Sequence, residues 1–387
     1  MRFFGLILLF FCKWSNHDAI FAQNSLNPKV DTLVFFGQIS SWGHYNFNNA
    51  PHMQLGGRYI PSLNYSRKFN HNRKFDLEGS ANMVGSLSTL PPDTFISDGT
   101  IQPYRLWARF SSSQFELRVG LQKINFGSAS MLRPLMWFDQ LDPRDPLKLT
   151  NGVWGALARY YFLNNSNLWL WCLFGNTKPR PWDIGETSKD KPEFGGRYQH
   201  AVKKGEIALS YHYREVDARN IGYTIQGYTN IPENRLGVDG RFDTKAGLWY
   251  EAVWIHKAKS MGILSNQEIL NVGTDYTLGW GNGLNIVFEQ LLFSGDSTPF
   301  EFKNKILFSG LSLNYPLGIA DHIHAIFYYD WKTNNTYNFI NWNHNLGNLS
   351  LFLMAYLNPD KYKLPQQGNI GNTYSGPGFQ MMIVYHH

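Results

Sequence analysis

Phe75-Asp76-Leu77-Glu78-Gly79-Ser80-Ala81-Asn82-Met83 puts an apolar or small residue at every odd position and a polar one at every even position. Side chains leave the two faces of a β-strand alternately, so this stretch predicts a strand with one oily and one wet face. The same alternation returns at 115–122, 206–214 and 322–331. About 18 such segments can be counted, beginning near residues 31, 53, 75, 101, 115, 153, 168, 193, 206, 233, 247, 266, 283, 303, 321, 337, 349 and 376. A tilted strand needs about 9–11 residues to cross a bilayer, whereas strands of ordinary soluble sheets average about five or six. Most of the segments reach the longer figure, and no stretch of comparable length carries a helical period.

The connections add a second regularity. Short, turn-like links fall at Ser111-Ser112-Ser113, Asn164-Asn165-Ser166-Asn167, Lys203-Lys204-Gly205, Gly279-Trp280-Gly281-Asn282-Gly283 and Asn345-Leu346-Gly347-Asn348. The links between them are longer, at 87–100, 126–152, 176–192, 217–232 and 358–375. Turns at one end and loops at the other are the mark of a barrel that crosses an outer membrane. The expected fold is therefore all-β: a closed antiparallel transmembrane β-barrel of 16–18 strands, with short periplasmic turns and long extracellular loops. Closure would also remove the sheet edges that so many long strands expose.

Composition agrees. The 387 residues include 13 Trp, 21 Tyr and 28 Phe, yet only 17% are charged and mean hydropathy is −0.33. The aromatic load excludes disorder, and two cysteines exclude a disulfide scaffold. Several apolar runs of about 20 residues would be needed for a helical membrane protein, and the body of the chain has none. At the N-terminus, Arg2, the apolar run Phe3 to Phe11 and Ala19-Ile20-Phe21-Ala22 read as a signal peptide over residues 1–22. Cys12 follows two Phe where a lipoprotein cleavage box has small residues, so simple export is the reading. The barrel is expected over 23–387, in the bacterial outer membrane, with outer-membrane lipid, lipopolysaccharide and the barrel-assembly machinery as partners.

The third long loop, 126–152, combines apolar anchors (Leu132, Leu135, Met136, Trp137, Phe138) with Arg133, Asp139, Asp142, Arg144 and Asp145. A connection of that length is a functional element more often than a tie. It is expected to fold into the lumen as a constriction, with an exposed loop as the alternative. Inward positions of the flanking strands supply Arg105, Arg109, Arg118, Arg159 and Arg197, with Glu116 and Gln122 among them. A basic wall facing an acidic loop would set a transverse field and orient solutes. Pairing of these arginines with neighbouring carboxylates is the competing reading for each residue. The excess of 35 Lys+Arg over 29 Asp+Glu, a net charge of +6, points to a mild preference for anions.

Gly120-Leu121-Gln122-Lys123-Ile124-Asn125-Phe126-Gly127, followed by Arg133-Pro134 and Asp142-Pro143, resembles the G-R-Q-x-x-x-x-G strand and loop of porin-like barrels. These include the phosphate-selective and alginate-export types and similar barrels of Bacteroidetes. The likeness covers about 30 residues, and Leu121 stands where that family has arginine. At the chain end, Phe379, Met381, Ile383 and Tyr385 resemble an assembly-recognition strand, with His387 in place of a terminal aromatic. The resemblance implies a porin-like channel for passive diffusion of small hydrophilic solutes, in keeping with the reading above.

Other chemistry is thin. His322 and His324 share a strand face, but no third ligand lies near them, so no metal and no cofactor are expected. No nucleophile-elbow, zinc-protease, Walker or C-x-x-C signature is present, and nucleic acid is not an expected partner. The chain is read as a channel and not an enzyme, with a homo-oligomer as one possible assembly. Three alternatives stand beside the channel: a structural or adhesive barrel without an open pore, a barrel hydrolase needing a Ser/His pair at the rim, and a soluble secreted module.

Overall fold

Alternation of apolar and polar residues over a dozen positions leaves one low-cost arrangement in a bilayer, where each strand hydrogen-bonds to two neighbours and the sheet closes. The computed structural model describes residues 31–69, 72–90, 94–219, 221, 229–360 and 374–387; the signal peptide expected over 1–22 lies outside them. The wall begins with β1 (Thr32–Asn46), β2 (Met53–Phe69), β3 (Arg73–Leu90), β4 (Thr94–Ser111), β5 (Phe115–Gln122), β6 (Val153–Tyr161) and β7 (Asn167–Leu173). A two-residue β8 (Glu186–Thr187) lies in a loop and pairs with the end of β10. The wall resumes with β9 (Glu193–Val202), β10 (Gly205–Asp217), β11 (Asn230–Asp243), β12 (Gly247–Lys257), β13 (Asn266–Leu278) and β14 (Leu284–Asp296). It ends with β15 (Lys305–Pro316), β16 (Asp321–Asp330), β17 (Asn335–Leu346), β18 (Leu349–Leu357) and β19 (Pro377–His386).

Consecutive wall strands pair antiparallel, β7 reaching past β8 to β9. The last strand returns to the first, with Tyr45 opposite Phe379 and Gln38 opposite His386. The result is a closed barrel of 18 strands. No helix occurs among the described residues.

Most strands start within about three residues of the expected positions. The exception is β4, which starts at Thr94 and not near 101. Expected as a long loop, 87–100 is largely sheet, because Leu87 through Leu90 pair with Ser97 through Thr94. Ser and Gly in this stretch suggested a loop, but cross-strand pairing overrides weak local propensity. Above Leu106 the free edge of β4 has no neighbouring strand among the described residues, since β5 pairs only with Leu106–Ser111.

The two faces differ as the alternation requires. Leu55, Leu63, Leu77, Leu106, Val119, Leu170, Leu209, Val272, Leu353 and Ile383 are exposed on the outside, where lipid would cover them. Aromatics mark both ends of this band: Tyr45, Phe47 and Phe379 cluster at the loop end, and Tyr160, Phe162 and Tyr198 at the turn end. Amphipathic rings settle at that depth.

The inner wall is two-faced. From β12 round to β19 it carries Val253, Ile255, Ile269, Leu291, Phe308, Ile326, Tyr337, Phe339, Phe352, Met354, Met382 and Val384, all buried in one apolar cluster. From β2 to β6 it carries arginines and carboxylates. The loop joining β5 to β6 (L3, 123–152) belongs to the first half. Its Ile124, Phe126, Met131, Leu132, Leu135, Met136, Trp137 and Phe138 sit in the same cluster.

Candidate functional site

L3 leaves the wall after Gln122 and crosses to strands on the far side. Two carboxylates receive it there. Glu289 on β14 accepts the backbone amides of Ser130 at 2.6 Å, Met131 at 3.1 Å and Leu132 at 2.6 Å, and the Ser130 hydroxyl at 3.1 Å. Glu251 on β12 accepts the amides of Ala129 at 2.7 Å and Leu135 at 3.1 Å. Successive amides converging on one anion form a nest, a strong use of backbone donors. Asn271 on β13 donates to the Leu132 carbonyl at 2.8 Å, and the Trp182 indole donates to that of Arg133 at 2.8 Å.

Two glycines make the approach possible. Gly127 has φ +93° and a Cβ there would run into the Glu251 carboxylate; at Gly237 on β11 a Cβ would meet the Leu135 side chain at 2.6 Å. Aromatic edges complete the fit, Trp137 and Phe138 meeting Phe126 at 5.6 and 6.0 Å between centroids. Burying several such side chains at about 1.5–3 kcal/mol each holds L3 inside the barrel.

The charged half of the inner wall lies on β2 to β6. Cross-strand register sets Asp76 beside Arg109, Arg109 beside Arg118, and Glu116 beside Arg159. Arg109 binds Asp76 at 2.8 Å, while Glu116 is shared by Arg109 at 3.5 Å, Arg118 at 3.2 Å and Arg159 at 3.5 Å. Indole faces support the same guanidiniums: Arg118 lies 4.7 Å over Trp107 and Arg159 3.8 Å over Trp169. Arg105 donates to the carbonyls of Tyr104 and Thr150, the latter at 2.9 Å, tying the wall to the end of L3. Arg58 on β2, which sequence reading did not single out, stacks 5.5 Å from Trp42. Neither Arg58 nor Arg105 has a carboxylate partner within ion-pair distance among the described residues.

The expected site residues thus divide. Arg105, Arg109, Glu116, Arg118 and Arg159 come together on one stretch of inner wall. Gln122 is buried and donates to the carbonyls of Arg118 and Gly155. Arg197 is closed onto Asp239 at 2.5 and 2.8 Å and onto the Ser210 hydroxyl, beneath Phe126 of L3. Within L3, Arg133 pairs with Asp139 at 3.0 Å, both buried, and Arg144 pairs with Asp142 at 2.6 Å. Asp145 accepts the amides of Leu147 and Leu149, each at 3.0 Å. The loop carboxylates are therefore engaged within the loop itself, where the sequence reading expected them to confront the wall. A compact loop inside a barrel has to satisfy its own turns first. Burial raises the Asp145 carboxyl, against the two amides and the field of Arg58; burial likewise raises Asp139 against Arg133.

A second loop (L4, 174–192) is held by a buried charge network that the sequence did not announce. Arg180 binds Glu193 through two bonds of 2.7 and 2.8 Å. Asp183 takes Arg214 at 2.9 Å and also Arg235, and Glu233 joins Arg214, Arg235 and Lys257. Burial alone would raise Asp183, but Arg214, Arg235 and Arg180 outweigh it and hold its carboxyl below the usual range. No group of three or more metal-ligating side chains occurs among the described residues.

No protein-family model matches the sequence, and no curated protein does. Solved structures do match. OccAB4 of Acinetobacter baumannii is 10% identical over 92% of this chain and 98% of its own, with a TM-score of 0.55. OccK7 (OpdD) of Pseudomonas aeruginosa is 12% identical over 92% and 98%, at 0.53. OmpT of Vibrio cholerae, an outer membrane protein in its trimer form, is 9% identical over 92% and 99%, at 0.52. At such identities the likeness is one of fold. Together with the closed wall and its oily exterior, it makes this chain a porin-like β-barrel of the bacterial outer membrane.

Proposed function

We propose that the barrel is a passive channel for small hydrophilic solutes, narrowed by L3 and favouring anions. The observation that carries this reading is the division of the inner wall. L3 packs on the apolar half, so the space left to solutes runs along Arg58, Arg105, Arg109, Arg118 and Arg159, against Asp76, Glu78 and Glu116. Pore width and lining charge then decide what passes. Lipid, lipopolysaccharide and the assembly machinery follow as partners from the location, and the trimer form of the Vibrio cholerae relative supports a homo-oligomer.

A barrel hydrolase is the second reading the sequence left open. Ser166 and His200 stand 2.8 Å apart, as do Ser312 and His324. Among the described residues no carboxylate orients either histidine, so the third element of such a site is missing and the channel is the better account. Reconstituted protein in planar bilayers should give stepwise conductance with a reversal potential on the anion side. Well-folded protein that never conducts would end the channel reading.

A further inference from the structure

Where L3 dives inward it leaves a gap in the extracellular rim. The top of β4, the neck of L3 and the start of L4 border a cleft of about 830 Å³ there. Its charges are largely spent: Arg180 is closed onto Glu193, and Asp183 onto Arg214 and Arg235. Lys178 and Glu186, of opposite sign, remain at its border, and the rest of what faces the opening is mostly neutral and polar. Gln102, Asn151, Thr177 and Lys178 border it, and among the described residues none of their side chains has a hydrogen-bond partner. Gln140 uses its amide nitrogen on the Pro179 carbonyl and keeps its amide oxygen free. Trp154 also borders the cleft, 40% exposed, and among the described residues its ring stacks on no other ring and its indole N–H has no acceptor.

We propose that this cleft binds a saccharide. Amide and hydroxyl groups supply paired donors and acceptors for vicinal hydroxyls, and the flat apolar indole face suits the C–H face of a pyranose ring. A cleft for a small anion would instead aim unpaired guanidiniums into its interior, as the wall beneath L3 does. One for an acyl chain would lack the amides. The Trp154 backbone is itself fixed, its N–H donating to Asn176 at 2.8 Å and its carbonyl accepting from the same side chain at 3.0 Å, so the indole is presented from a rigid base. Trp154 lies at the loop end of β6, on the face opposite buried Val153 and Leu157 and in register with Leu121 of β5. Sugar can therefore reach it from two sources, free in solution or as the headgroup of an outer-leaflet glycolipid.

The test uses full-length protein, with Trp154→Ala and Thr177→Ala as variants; neither residue belongs to the arginine wall or to L3. Calorimetry with maltotriose probes the free source. Native mass spectrometry after incorporation into nanodiscs with and without lipopolysaccharide probes the lipid source. Saturable maltotriose binding that weakens at least tenfold in both variants supports a solution ligand. No maltotriose binding, with lipopolysaccharide retained by the parent and lost by the variants, supports a glycolipid headgroup. Binding of neither probe, or equal binding by parent and variants, overturns the proposal. Single-channel conductance of the variants should match the parent, which shows that the barrels are folded and separates this result from any failure of the channel reading.

Discussion

Glu289 accepts the backbone amide of Leu132 at 2.6 Å, joining a side chain of β14 to a loop that leaves the wall at β5. The two residues are 157 positions apart, and their contact spans the lumen. Through it the width of the proposed passage depends on a carboxylate that touches no solute path.

Removing that carboxylate should free the loop. Glu289→Ala strips the acceptor from three amides and a hydroxyl, and a buried donor left unpaired costs about 1–3 kcal/mol. Larger and noisier unit conductance is expected, with Glu289→Gln between variant and parent. Single-channel recordings that match the parent would mean that apolar packing alone holds L3.

Selectivity should follow the arginines without carboxylate partners. Arg58→Ala together with Arg105→Ala is expected to move the reversal potential in a salt gradient towards cations, more than Arg109→Ala, whose charge is already offset by Asp76 and Glu116. Equal shifts for both changes would show that pairing does not screen the wall.

Arg197 should behave differently despite lying on the same side of the barrel. Breaking its buried pair with Asp239 strands a charge, at a cost of about 3–5 kcal/mol. Arg197→Ala is expected to lower the unfolding temperature and leave ion selectivity alone. A selectivity change at full stability would place Arg197 on the solute path.

The loops should part company in acid. Asp183 of L4 has a lowered carboxyl, so its contribution is present above the ordinary Asp value of about 3.9 and is lost as pH falls through its folded value. Asp145 of L3 is raised: its native state holds the proton more tightly, so acid relieves a cost and L3 loses nothing from this group. Hydrogen exchange at pH 7 and near pH 3 should show L4 amides deprotected first. Earlier deprotection around Asp145 would reverse the assignment.

Much of this fold was legible because the bilayer enforces period two along nearly every strand. Eighteen starts could be read, and the inward placement of Arg105, Arg109, Glu116, Arg118 and Arg159 follows from parity alone. Parity says nothing about partners. Glu251 and Glu289 occupy inward positions like any other glutamate, and their ligands are backbone amides in a distant loop, which carry no residue signature. The L4 network was hidden likewise, since Asp183 sits in a loop while Arg214, Glu233, Arg235 and Lys257 lie on three different strands. Misreading 87–100 had another cause, as Ser, Pro and Gly there resemble turn formers although the pairing continues through most of the stretch.

The apolar half of the inner wall makes this barrel obey two sets of rules. A water-filled barrel tolerates changes to its lining, because water refills whatever a side chain vacates. Phe308, Leu291 and Ile326 have no such tolerance, since L3 covers them and the neighbourhood is dry. Truncating any of them should behave as it does in the interior of a soluble protein, at about 2–5 kcal/mol. Evolution can therefore retune the arginine side freely, while the opposite side is bound by the demands of close packing.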